Sequence, residues 1–155
     1  MIDFTIETRI GCTPEEVFAY ICDPARLHTW QTNTVSVVQE GDGPMRVGTR
    51  LREVHRMPGG KETESVVEVA EFEPNRKLGL RVVEGTPIHG SITLEPNDGG
   101  TLLGFRVYGQ PTGVMRALQP LLRRGLRRQF GSYCKKLKLK LENEPGGRTT
   151  PSPAT

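Results

Sequence analysis

Three histidines, three cysteines and one tryptophan carry the widest chemical repertoire in this chain, and their spacing narrows what they can do. His28, His55 and His89 stand 27 and 34 residues apart, with no HExxH pair and no cysteine beside them, so no metal site is expected. No Gly-x-Ser-x-Gly elbow marks an acyl-transfer nucleophile, and neither Gly-x-Gly-x-x-Gly nor a Walker A loop offers a cradle for phosphate. Cys12, Cys22 and Cys134 form no CxxC pair, and an odd count argues against a disulfide framework, so they read as reduced, mostly buried small hydrophobes. No cofactor is expected.

What remains is a set of polar side chains on otherwise apolar runs: His55, Glu68, His89, Ser91, Arg106 and Tyr108. In the wall of a cavity such groups orient a ligand or move protons to and from it. Strand register decides whether they do. If Ile88, Ile92 and Leu94 point inward, His89 and Ser91 face solvent, and Leu103, Phe105 and Val107 compete with Arg106 and Tyr108 in the same way. The simpler reading of His55 and His89 is a solvent-facing strand histidine, whereas Tyr108 is open between cavity and core.

The elements that must position these residues are legible from periodicity. From Asp3 to Ile10, Phe4, Ile6, Thr8 and Ile10 alternate with polar residues, the signature of a strand with one buried face. Thr13-Pro14-Glu15-Glu16 combines a cap, a first-turn proline and a capping-box acid, predicting a short helix with Val17, Phe18 and Ile21 inward. Asp23-Pro24 repeats the signal and opens a second short helix through Ala25, Leu27 and Trp30. Six more strands follow, near Val35 to Glu40, Arg50 to Met57, Glu62 to Phe72, Leu78 to Glu84, Ile88 to Glu95 and Leu102 to Tyr108. Gly, Pro, Asn and Asp clusters punctuate them. Short turns between successive strands predict a curved antiparallel sheet of about seven strands, and missing crossover helices exclude a parallel α/β fold. From about Thr112 to Leu141 the period becomes helical, with Met115, Leu118, Leu122, Leu126, Phe130, Tyr133 and Leu137 in one stripe. Pro120 should kink or restart that helix.

A chain of 155 residues and 17.2 kDa fits one domain. With 35% hydrophobic and 25% charged residues and a mean hydropathy of −0.44, it has a globular balance, and no apolar run is long enough for a transmembrane segment. Acids at Asp3 and Glu7 interrupt the stretch where a signal peptide would be continuous and apolar, so a cytoplasmic location is expected. The net charge of +3 is uneven: nine basic residues and no acid fall between Pro111 and Leu141, leaving a net of −6 on the rest. Those cations read first as the solvated face of an amphipathic helix. No nucleic acid partner is expected, because the segment lacks stacking aromatics and any DNA-reading motif. A homodimer is left open.

The order strand, two short helices, six strands, long helix resembles the START-like or Bet v 1-like superfamily, in its polyketide cyclase/dehydrase and lipid-transport branch. The resemblance rests on Pro14-Glu15-Glu16-Val17-Phe18-Ala19-Tyr20 with Asp23-Pro24 and Trp30, then Gly43-Pro44 with Val47-Gly48-Thr49. It continues through Val69 with Glu71-Phe72-Glu73-Pro74, Gly99-Gly100-Thr101, and Leu137-Lys138 with Leu141-Glu142. It implies the α+β helix-grip fold over residues 1–144, in which the sheet wraps around the long helix and leaves an elongated apolar cavity. Residues 145–155, rich in Pro, Gly, Ser and Thr, read as a disordered tail.

The cavity candidates are then Trp30, at the rim by that resemblance or a half-buried core indole otherwise, together with His55, His89, Ser91, Arg106, Tyr108, Met115, Leu118 and Leu122. The leading reading is binding of a lipid, polyketide or aromatic metabolite. The alternatives are a cyclase/aromatase-like enzyme drawing on Arg106, Tyr108, His55 or His89, and an interaction module using the basic helix face. No motif fixes a catalytic residue.

Overall fold

The first strand, β1 (Ile2–Ile10), is followed by a helix whose start is fixed by the residues that cap it. In this computed structural model, which describes residues 1–143, Thr13 Oγ1 accepts the Glu16 N–H at 3.3 Å, and Glu16 Oε2 accepts the Thr13 N–H at 3.1 Å. This reciprocal pair satisfies two amides that the first turn of α1 (Pro14–Ile21) would otherwise leave open. The tail 145–155 lies outside the described residues.

The second short helix is split. Asp23 Oδ1 accepts the Ala25 N–H at 3.0 Å and starts a 3-10 turn, Pro24–Arg26, which passes directly into α2 (Leu27–Trp30). The chain then runs through β2 (Thr34–Glu40), β3 (Arg50–Arg56), β4 (Glu62–Glu73), β5 (Lys77–Glu84), β6 (Ile88–Asn97) and β7 (Gly100–Gly109). These form one antiparallel sheet in the order β1-β7-β6-β5-β4-β3-β2, so the first two strands of the sequence are its opposite edges. The two short helices make the connection between those edges. Curvature comes partly from irregularities in pairing, between Thr34 and Ser36 on β2, between Val69 and Glu71 on β4 and between Val82 and Glu84 on β5, each of which bends the strand that carries it.

Where strands and turns crowd, glycine is required. A Cβ on Gly100, at the start of β7, would stand 2.5 Å from the Ile10 carbonyl oxygen on β1. Any side chain there would push the edge strand away.

After β7 come α3 (Val114–Ala117) and α4 (Gln119–Asn143). Pro120 falls in the first turn of α4, where its missing N–H costs nothing, so the long helix restarts there rather than kinking. The apolar stripe divides in two. Tyr133, Cys134, Leu137 and Leu141 are buried against β1 and α2, whereas Leu122, Leu126 and Phe130 are only partly covered, and Met115 and Leu118 are exposed. The sheet wrapped around this helix is the helix-grip arrangement.

Candidate functional site

Because α4 leans on β1 and α2, its N-terminal half stands off from strands β3 to β6. The space left is a cavity of about 1070 Å³. The helix wall from Leu121 to Tyr133 spans about 18 Å at the usual rise per residue. Leu122, Leu126 and Phe130 of α4 face it from one side, and Leu51, Val67, Leu78, Leu80 and Ile92 from the sheet.

An aromatic chain separates this space from the core. Trp30 meets Phe105 edge to face with centroids 6.3 Å apart, Phe105 meets Phe130 at 5.1 Å, and Phe130 meets Tyr133 at 5.3 Å. All four line the cavity, and edge-to-face pairs each add about 0.5–1.5 kcal/mol beyond burial. Phe105 needs space across the sheet, and Gly90 on β6 supplies it, since a Cβ there would sit 3.1 Å from Phe105 Cε1.

One stretch of wall is polar. On β3, Leu51, Glu53 and His55 share the inward parity, while Arg50 and Arg52 take the outward one and Arg56, the exposed last residue of the strand, reaches the cavity mouth. The register sets Ser65 beside Glu53 and Thr63 beside His55, and all four line the cavity. Glu53 is only 7% exposed, and its Oε2 lies 3.0 Å from His55 Nε2. As a carboxylate Glu53 only accepts, so His55 Nε2–H donates to it and Nδ1 is left facing the Thr34 hydroxyl at 3.5 Å. Glu53 Oε1 takes no hydrogen bond among the described residues.

Across from this patch, Gln129 Nε2–H donates to the Tyr133 hydroxyl at 2.7 Å, and that hydroxyl donates in turn to Asn33 Oδ1. The relay ties α4 to the loop between α2 and β2, and Lys136 Nζ reinforces it by donating to Thr32 Oγ1 at 2.8 Å. Burial pushes the Tyr133 phenol up to about 12, only partly offset by Gln129, so it is protonated at neutral pH. Burial likewise raises the Cys22 thiol to about 12 and Cys134 to about 11, which makes both poor nucleophiles.

The sheet also carries a seam. β5 and β6 pair only from Lys77 to Leu80, and beyond that the strands part. His89 bridges the gap: its Nδ1 accepts the Val82 N–H at 3.0 Å, replacing a missing ladder bond. Burial, with the Arg81 charge nearby, holds its imidazole below the ordinary range, which keeps Nδ1 available as an acceptor at neutral pH.

The residues singled out from the sequence therefore separate. Trp30, His55, His89, Met115, Leu118 and Leu122 line the cavity. Trp30 is both a cavity residue and fully buried, at 1% exposure. Ser91, Arg106 and Tyr108 do not line it, contrary to expectation. The cause is register: Ile92, Leu103, Phe105 and Val107 take the buried parity, leaving Ser91, Arg106 and Tyr108 on the outer face. There Arg106 makes two hydrogen bonds to the Asp3 carboxylate, at 2.9 and 2.7 Å, and lies 4.5 Å over the Tyr108 ring. Glu68 is on the outer face too, between Arg50 and Arg81 at 3.4 and 3.5 Å. Sequence reasoning missed Glu53, Thr63, Ser65, Asn33 and Gln129. Glu53 had a visible signal in the arginine parity of β3; Asn33 and Gln129 meet only through folding.

No curated protein matches the sequence. Solved structures do. A protein of Nitrosomonas europaea, NE0264, superposes with a TM-score of 0.73 at 18% identity, covering 91% of this chain and 96% of that one. TTHA0849 of Thermus thermophilus gives a TM-score of 0.74 at 20% identity over 88% of this chain and 94% of its own. StfQ, a di-domain ARO/CYC from the steffimycin biosynthetic pathway, gives 0.74 at 16% identity, covering 88% of this chain and 49% of that chain. At these identities the likeness speaks for the fold alone. The sequence profile of the family described as polyketide cyclase / dehydrase and lipid transport matches residues 1–142, nearly the whole described chain. By that match, the chain belongs to the polyketide cyclase/dehydrase and lipid transport family.

Proposed function

We propose that the protein binds one apolar or amphipathic small molecule in this cavity, with the apolar body against α4 and the sheet and the polar end at the Glu53–His55 patch. The observation that carries the reading is the composition of the wall: a volume of about 1070 Å³, mostly aliphatic and aromatic, with a few convergent polar groups. Burial of ligand carbon, at about 25 cal/mol per Å², supplies the affinity. Exposed apolar residues at the rim, Met57, Met115, Leu118 and Leu121, give an apolar ligand a path in from solvent.

A cyclase-like activity has less support. Of the four side chains expected to serve it, Arg106 and Tyr108 lie outside the cavity and His89 Nδ1 is held by the Val82 N–H, so acid–base work would fall to His55 with Glu53. The likeness to StfQ does not change this.

Titration with the neutral fluorophore N-phenyl-1-naphthylamine tests the binding reading. Saturable binding at one site per chain is expected, together with a co-purifying mass that disappears when native mass spectrometry is repeated under denaturing conditions. Absence of both would refute it.

A further inference from the structure

We propose that the cavity selects ligands whose polar end is a positively charged hydrogen-bond donor, a long-chain amine, seated on Glu53. The inference rests on the binding reading above and adds the class of ligand.

The ionisable groups on the cavity wall decide it. They are Glu53, His55, Arg56, Glu64, His89 and Tyr133. Arg56 is spent on Glu62 at 3.2 Å with its side chain 60% exposed, and Glu64 is exposed. His89 uses Nδ1 to hold Val82, and Tyr133 is committed to Asn33 and Gln129. That leaves one largely buried carboxylate, Glu53, whose single ion-pairing partner among the described residues is His55 and whose Oε1 takes no hydrogen bond from them.

The attraction between a carboxylate and a cation grows as water is excluded from around them. A ligand ammonium reaching Oε1 supplies both a proton donor and a permanent positive charge. A ligand carboxylate would set a second anion beside Glu53, and like charges at that range repel. An alcohol falls between, donating one hydrogen bond without charge. The apolar length alongside α4, about 18 Å, suits an extended chain behind that head.

Competition against bound N-phenyl-1-naphthylamine at pH 7.5 by decylamine, decanol and decanoate tests the order directly. Each competitor's inhibition constant is corrected for the probe affinity of the protein used. Decylamine is expected to bind at least tenfold more tightly than decanoate, with decanol between. Glu53→Gln should bring amine and carboxylate to within threefold, whereas Glu53→Asp, which keeps the charge, should preserve the order. Equal or tighter binding of decanoate to the wild-type protein overturns the proposal, as does an amine preference that persists in folded E53Q. If E53Q does not fold, the wild-type order with E53D decides. A probe that binds without any such ranking removes this inference alone; a probe that does not bind removes the cavity-binding reading with it.

Discussion

Lengthening a neutral ligand one methylene at a time measures whether the cavity acts as apolar solvent along its length. The helix wall between Leu121 and Tyr133 extends about 18 Å, with Leu122, Leu126 and Phe130 facing aliphatic residues of the sheet. Each methylene buried there should contribute about 0.8 kcal/mol, a factor of about 4 in Kd. From hexanol to dodecanol, six methylenes therefore correspond to about 5 kcal/mol, or between three and four orders of magnitude. Displacement of N-phenyl-1-naphthylamine by the n-alkanol series reads this without interference from head-group charge. The increments should stay constant and then flatten where the chain reaches the end of the apolar wall. A slope below about 0.3 kcal/mol per methylene between hexanol and octanol would mean that the chains lie on wet surface, and would refute the assignment of this space as the binding site.

Tyr133→Phe removes the link between Gln129 and Asn33 while keeping the ring packed on Phe130, and should cost about 1–2 kcal/mol. In a double-mutant cycle with Asn33→Ala, chemical denaturation should show losses that are less than additive; full additivity would mean the relay holds nothing. Leu137→Ala, in the core, should lose about 2–5 kcal/mol by the same measurement, whereas Leu118→Ala, at the exposed rim, should change stability by no more than about 0.5 kcal/mol. On the outer face, hydrogen bonding from Arg106 holds the Asp3 carboxyl below its ordinary 3.8. A depressed folded value stabilises above 3.8 and loses that contribution as pH falls through the folded value, so Arg106→Gln should return the carbon-13 NMR titration of Asp3 toward 3.8 and remove that pH dependence.

The order of elements was legible because each carried a local signal. Thr13 and Glu16 formed the expected capping box, Asp23 capped the next turn, and the alternation around Phe4 and Ile6 gave β1. The resemblance to the helix-grip family then supplied what periodicity lacks, the wrapping of sheet around helix. The site was less legible. A helical stripe of leucines looks the same whether it meets a core, as at Leu137, or an open space, as at Leu122, because both demand apolar side chains. Parity was the usable clue on the strands. It put Arg106 and Tyr108 outside once Phe105 and Val107 took the inside, and on β3 it placed His55 and Glu53 inside, because arginines held the other parity. His89 shares the outward parity of Tyr108, its ring neighbour at 5.4 Å, and meets the cavity wall where β5 parts from β6, a property of pairing between strands that leaves no mark within either one.

The division of α4 into an anchored half and a half that lines the cavity has a consequence for the abundance of the protein. A folded form gains stability from a ligand that binds it and not the unfolded chain, by about 2.7 kcal/mol when the ligand stands at a hundred times its Kd. Proteolysis acts mainly on opened molecules, so a shift of that size alters how long a chain survives. On the proposed binding function, chains without ligand are expected to be cleaved sooner than chains that hold it, which limited proteolysis with and without ligand would measure.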